Sequence, residues 1–386
     1  MTTVFTPARV AGRPFARPIA RRQFLRTAAA SALSAAYLDS FAQSAAPSER
    51  QFAPQPGTWR TFEVTTRVEI AAPKGASQAW VPVPSIDSDW QRSMDSVFTS
   101  SGTARMVADG QQGARMVHAQ FDDSQSAPFV EVTSRIQTQN RLQDWKSKNV
   151  PAESAAALAA YTRATALIPV DGIVLSTATQ AIAGAKTDVQ KAQMLFDWIV
   201  TNTYREPKVR GCGEGDIKAM LETGNLGGKC ADLNTLFVGL CRAVGLPARD
   251  VYGLRVAPSA FGYKELGGIS AKLQGAQHCR AEVYLQGHGW VAMDPADVTK
   301  AMRQETTDWI KDPRNPVVAP VNRVLFGGWE GNWMAYNTAH DVVLPQAQGP
   351  RLGFFMYPHA ETGGKRLDAY APDDLRYRIS AKEITA

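Results

Sequence analysis

No stretch of this 386-residue chain approaches the ~18 consecutive apolar residues that a transmembrane helix needs, so no membrane span is expected. Histidine is scarce: there are five. His118, His288, His340 and His359 have no ligand partner at metal spacing, and Asp87, Asp89 and the Asp122-Asp123 pair are too sparse for calcium. No metal and no cofactor are expected. Cysteine is also scarce, at four, a number that in an exported protein still invites a disulfide. A basic surface is missing too, despite a formal charge of +6. Arg9, Arg13, Arg17, Arg21, Arg22 and Arg26 stand against Asp39 alone within residues 1–46, which leaves the rest of the chain near neutrality. Nucleic acid is therefore not an expected partner.

What is present is a globular body, with 44% hydrophobic residues and nine tryptophans spread through it. Residues 1–46 read as a leader. Ala20-Arg21-Arg22-Gln23-Phe24-Leu25-Arg26 resembles a twin-arginine export signal and precedes a weakly apolar run from Thr27 to Leu38. Cleavage is expected near Ser40-Phe41-Ala42 or Ala42-Gln43-Ser44, with the mature chain periplasmic or secreted. Residues 47–57, rich in proline and polar residues, read as a linker. Alternation in Phe62–Ile70 and Phe129–Ile136, separated by turn signals, predicts an antiparallel β-sandwich over 58–140.

Helical patterns follow within a core at 141–300. Ala152 to Ala166 is alanine-rich, and Asp188 to Val200 carries an apolar stripe with Asp188 as its N-cap. Leu233, Leu236, Phe237, Leu240, Cys241 and Val244 predict an amphipathic helix that Gly245 and Pro247 stop. Strands are expected over Arg249–Val256, Cys279–Leu285 and Trp290–Met293, the last two joined at Gln286-Gly287-His288-Gly289. Residues 301–386 read as a β-rich extension packing on the core.

The chemistry concentrates in three residues. Cys230 follows the glycine pair Gly227-Gly228 at the start of the central helix, where unpaired N–H groups and the positive dipole end favour a thiolate. The same N–H groups suit the oxyanion of a tetrahedral intermediate. His278 lies 48 residues on and Asp294 a further 16, supplying an imidazole and a carboxylate to orient it. A two-residue turn at Gly287-His288 would set Asp294 opposite Ala281, so a longer loop or a bulge is required for the pair to meet. Cys230 and Cys241, eleven residues apart on one helix, are separated by roughly 16 Å and cannot bridge. Cys212 is free or bridged to Cys279.

Gly228-Lys229-Cys230-Ala231-Asp232 and Arg242 through Arg249 resemble the cysteine motif of the transglutaminase-like superfamily. His278 through Tyr284 and Gly289-Trp290 through Asp294-Pro295 resemble its histidine and aspartate motifs. The resemblance implies an α+β, papain-like core with Cys230 as nucleophile, His278 as general base and acid, and Asp294 as orienter. Two positions after the histidine, where many members carry an aromatic residue, this chain has Arg280.

Three functions are open at this level. Cys230 forms a thioester on a peptide or side-chain amide and water hydrolyses it, as in a cysteine peptidase or amidase. An amine takes the acyl group instead, as in a protein-glutamine transglutaminase. Or the fold is a non-catalytic module gripping peptides or cell-envelope glycopeptide. Hydrolysis is the expected outcome, with a protein or peptide substrate as partner, cell-envelope glycopeptide included.

Overall fold

Alternation makes the first strand two-faced: in Arg60–Ile70, Phe62, Val64, Thr66, Val68 and Ile70 are buried and the residues between them are not. The computed structural model describes residues 50–384, so the expected leader lies outside the described residues. The first strand sits inside a four-stranded antiparallel sheet in the order Leu375–Ile384, Arg60–Ile70, Phe129–Thr138, Gln91–Ser100. A second, five-stranded sheet runs Lys365–Arg366, His359–Thr362, Ser77–Pro82, Arg115–Phe121, Thr103–Ala108. Their inner faces meet through Val68, Ile70, Val130 and Val132 on one side and Ala79, Val81, Val117 and Ala119 on the other. This is a β-sandwich.

The sandwich is not confined to 58–140, and residues 301–386 are not an extension laid on the core. Leu375–Ile384 pairs with the first strand over ten residues, and His359–Thr362 pairs with Ser77–Pro82. The N-terminal strands alone would leave Arg60–Ile70 and Ser77–Pro82 as unpaired edges, and the tail covers both. A third tail strand, Trp333–Asn337, joins the core sheet. The expected linker is also anchored: Phe52 is buried against Phe261 and Tyr263, with ring centroids 5.2 and 5.6 Å away.

The core is a four-stranded antiparallel sheet in the order Gly289–Met293, Gln277–Leu285, Ala248–Arg255, Trp333–Asn337. Across it lies the cysteine helix, Cys230–Ala243, flanked by helices Gly172–Ala181, Asp188–Asn202 and Pro295–Gln304. The flanking helix at 188 is capped by the Thr187 side chain, which accepts from Gln190 N, so Asp188 is its first helical residue rather than its cap. The alanine-rich stretch is helical only over Ala155–Ala160.

The cysteine helix is not amphipathic in place. Every residue from Cys230 to Arg242 is buried, polar ones included. Leu233, Leu236, Phe237 and Leu240 each contribute about 1.5–3 kcal/mol of transfer free energy. Its polar side chains are satisfied: Thr235 donates to Asp250 at 3.1 Å, and Arg242 donates to the Ala248 carbonyl at 2.8 Å. Such a helix holds its first turn rigidly.

Candidate active site

Cys230 opens the helix, with Lys229 as the N-cap in extended conformation. Its own N–H, at the first helical position, has no intrahelical acceptor. Asp232 fastens this turn to the preceding loop, its carboxylate accepting from Lys229 N at 2.9 Å, Glu214 N at 2.9 Å and Gly215 N at 3.0 Å. The loop approaches so closely that Gly213, at φ 93°, has no room for a Cβ beside the Asp232 carboxylate. Ala231 N donates to Cys212 O at 2.9 Å, which brings a second cysteine alongside the first.

His278 and Asp294 meet through a loop one residue longer than a two-residue turn. Leu285 pairs with Gly289, so Gln286, Gly287 and His288 form a three-residue loop, with Gly287 and Gly289 at positive φ. Continued one step past the Ala281–Met293 pair, the register sets Asp294 beside Arg280 rather than Ala281. His278 is two residues from Arg280 on the same face of the strand and is reached diagonally. The Asp294 backbone leaves the sheet there to cap the helix Pro295–Gln304, and its side chain turns inward. His278 Nε2 lies 2.7 Å from Asp294 Oδ2. This leaves Nδ1 for the cleft, where His278 and Cys230 line one cavity of about 570 Å³.

Several participants carry no motif signal. Asn234, one turn after Cys230, donates from Nδ2 to Asp294 Oδ1 at 3.0 Å and to Cys279 O at 2.8 Å, and accepts from Ala296 N at 3.1 Å. Asp297 forms a buried ion pair with Arg255, whose Nη2 donates to both carboxylate oxygens at 2.6 and 2.8 Å, and its Oδ2 is 3.4 Å from His278 Nε2. Arg280 is buried, with Nε 3.5 Å from Asp294 Oδ2 and its guanidinium over Trp333 at 4.6 Å. The guanidinium is thus held against tryptophan faces, with Trp329 at 5.1 Å as well. Only the spacing of Asn234 from Cys230, one turn along the same helix face, could have suggested it in advance.

The protonation states follow from these contacts. Burial pushes the Cys230 thiol up, but the neighbouring Cys212 and Cys279 thiols and the His278 imidazole outweigh it, so the thiol lies well below the usual cysteine range. Burial and Arg255 push His278 down, while Asp297 and Asp294 outweigh them and leave it above an ordinary histidine. Asp294 is itself raised, by burial and by the Asp297 charge, against the pull of His278 and Arg280. Asp297 is held low, Arg255 overcoming the burial that would raise it. A lowered thiol beside a raised imidazole is the signature of a thiolate–imidazolium pair. Cys241, on the same helix but with nothing but burial acting strongly on it, is pushed upward instead. All four cysteines are free, including Cys212 and Cys279.

His278, Asp294 and Asp297 also gather one potential metal ligand each within 4.8 Å of one another. Arg255 is bound to Asp297, and Arg280 faces Asp294. A divalent cation would meet two buried guanidiniums, and its carboxylate ligands are already committed. The donor set fits a hydrogen-bonded dyad rather than a metal centre.

Residues 176–295 match the family profile described as transglutaminase-like superfamily. An uncharacterized protein from Haemophilus influenzae is 33% identical over 345 residues, which span 84% of this chain and 91% of that one. Among solved structures, a candidate cysteine protease from Cytophaga hutchinsonii superposes with a TM-score of 0.54 at 13% identity, covering 86% of this chain and 94% of the other. That likeness concerns the fold. The periplasmic domain of TgpA from Pseudomonas aeruginosa aligns at a TM-score of 0.32 and 14% identity, over 63% of this chain and 91% of that one.

Proposed function

The chain belongs to the transglutaminase-like superfamily, and from that premise we propose that it is a thiol-dependent acyl-transfer enzyme acting on peptide or side-chain amides. Cys230 is its nucleophile, His278 its acid and base, and Asp294 the group that holds the imidazole. One observation carries this reading: a thiol at the unpaired start of a buried helix shares a cleft with a histidine whose far nitrogen is tied to a buried carboxylate.

The Cys230 thiolate attacks the amide carbon, and the carbonyl oxygen becomes an oxyanion facing the Cys230 N–H and the helix N-terminus. The His278 imidazolium, protonated at Nδ1, gives its proton to the departing nitrogen. The C–N bond breaks and a thioester remains on Cys230. Neutral His278 then takes a proton from water as the water attacks, releasing the acid and restoring the thiolate–imidazolium pair. Asp294 keeps Nε2 protonated throughout, and Asn234 and the Asp297–Arg255 pair keep Asp294 in place. Hydrolysis is the second step in this reading: exposed Lys272 and Gly275 at the rim leave the cleft accessible to water. The leader motif supports a periplasmic or secreted site of action.

Incubating the full chain with a glutamine-containing peptide and a labelled amine tests the reading. Peptide cleavage or ammonia release without label uptake, abolished by Cys230→Ala, is expected. Label uptake would make the protein a transglutaminase. An unreactive Cys230 with intact peptide binding would make it a binding module.

A further inference from the structure

The cleft around Cys230 has a charge pattern that acyl transfer alone does not need. Arg205, Lys229, Lys272 and Lys300 line it together with Arg255, and no aspartate or glutamate does. Two of these cations are already answered: Arg255 by Asp297, and Lys300 by Glu265, whose Oε2 is 3.5 Å away. Lys272 is exposed at the rim. Arg205 and Lys229 are different. Parallel pairing of Tyr204–Arg205 with Gly227–Gly228 sets Arg205 level with the residue just before Lys229. Both are partly buried, and neither forms an ion pair among the described residues. Arg205 Nε donates to the neutral Gln304 amide at 3.0 Å. The Asp232 carboxylate, whose field reaches Lys229, is engaged by three main-chain N–H groups. Burial and the Arg205 charge accordingly push the Lys229 ammonium down. The Cys212 and Cys230 sulfurs also act on Lys229, but a single thiolate facing two cations leaves this end of the cleft positive, and an anionic ligand would answer the remaining charge.

A second observation points to a ligand at the same place. Gln277, next to His278 and lining the cleft, is 6% exposed, and neither its amide oxygen nor its amide nitrogen has a hydrogen-bond partner among the described residues. The nearby Tyr377 hydroxyl donates to the Gln274 carbonyl at 3.5 Å and to neither atom of the Gln277 amide. A buried amide left unpaired is destabilising, and a bound peptide's N–H and C=O would offset that.

We propose that the cleft selects acyl donors carrying a free carboxylate beside the amide under attack, with Arg205 and Lys229 receiving the carboxylate and Gln277 pairing with the substrate's peptide group. This rests on the acyl-transfer reading above. The carboxylate belongs to an acidic side chain or to a chain terminus, and the two sources are separable. A carboxylate between a guanidinium and an ammonium gains charge-assisted hydrogen bonds that its amide counterpart cannot make, and at a partly desolvated site the difference is at least about tenfold in affinity.

The test is calorimetric titration of full-length Cys230→Ala with two matched pairs of peptides: acetyl-Ala-Glu-Ala-amide against acetyl-Ala-Gln-Ala-amide, and acetyl-Ala-Ala with a free terminus against its amide. At least one carboxylate peptide should bind about tenfold or more tightly than its neutral match, and the tighter pair identifies the source. The preference should fall below about twofold when Arg205→Gln and Lys229→Gln are added, and return with Arg205→Lys and Lys229→Arg, which keep the charge. Equal affinities within both pairs, no binding by either carboxylate peptide, or a preference that survives the charge-removing changes would overturn the inference. Turnover of the same four peptides by the unmodified chain separates the two readings. Selective binding without turnover sinks the acyl-transfer reading and leaves the carboxylate receptor standing. Turnover blind to charge does the reverse.

Discussion

Asn234→Ala isolates the groups that hold the dyad without touching the reacting atoms. The side chain is fully buried and satisfies three others: an oxygen of Asp294, the Cys279 carbonyl and the Ala296 N–H. Truncation leaves all three without that partner, at about 1–3 kcal/mol for each buried group. Asp294 Oδ1 still accepts from Asp297 N at 3.1 Å, and a water entering the small void would recover part of the rest. A loss of about 3–5 kcal/mol is therefore expected, a large share of the roughly 5–15 kcal/mol typical of a native protein. Urea unfolding of the full chain, read by tryptophan fluorescence, measures it. The dyad should loosen as well: Asp294 would swing on its remaining contacts, and kcat/KM on any peptide turned over should drop about tenfold or more while KM changes little. A destabilisation under about 1 kcal/mol together with an unchanged kcat would refute the claim that Asn234 positions Asp294.

Asp297→Asn strips Arg255 of its carboxylate and leaves a buried guanidinium uncompensated. A loss of about 3–5 kcal/mol in chemical denaturation is expected, and a neutral result would contradict the buried pair. Gly213→Ala should force the loop off Asp232, raising KM and protease susceptibility near residue 213, whereas unchanged proteolysis would mean the clamp yields freely. The pH profile of kcat/KM should be a bell, rising through the lowered Cys230 value and falling through the raised His278 value, because turnover needs thiolate and imidazolium together. The sign for stability follows from the same shift: the raised His278 contributes stability that is complete below the unfolded value of about 6.5 and is lost as pH climbs through the folded value. A stability maximum displaced upward through that window would contradict it.

The residues of the candidate site were legible because their signals are local. A glycine pair before a cysteine that opens an apolar 3.6-residue pattern marks a thiol at a helix start, and a hairpin holding histidine and aspartate marks their shared edge. What stayed hidden depends on contacts between distant segments. Period alone made the cysteine helix amphipathic, yet its polar positions face buried partners on other elements, as Asn234 faces Asp294. The hairpin loop length was ambiguous by one residue, and that residue decides whether Asp294 stands level with Ala281 or with Arg280. The tail resembled an extension because sequence order gives no hint that Leu375–Ile384 closes the edge left by Arg60–Ile70. The proline-rich segment before residue 58 resembled a linker because one buried phenylalanine, Phe52, is enough to anchor it.

The most direct measurement is the rate of Cys230 carboxamidomethylation by iodoacetamide between about pH 4 and 9, followed by peptide mass spectrometry so that the four thiols are read separately. Cys230 should stay reactive well below pH 7, with Asp294→Ala narrowing that acid-stable window, while Cys241 remains inert throughout. A Cys230 rate that falls tenfold for each unit below about pH 8.5, as an unassisted thiol's does, would mean that no thiolate–imidazolium pair exists.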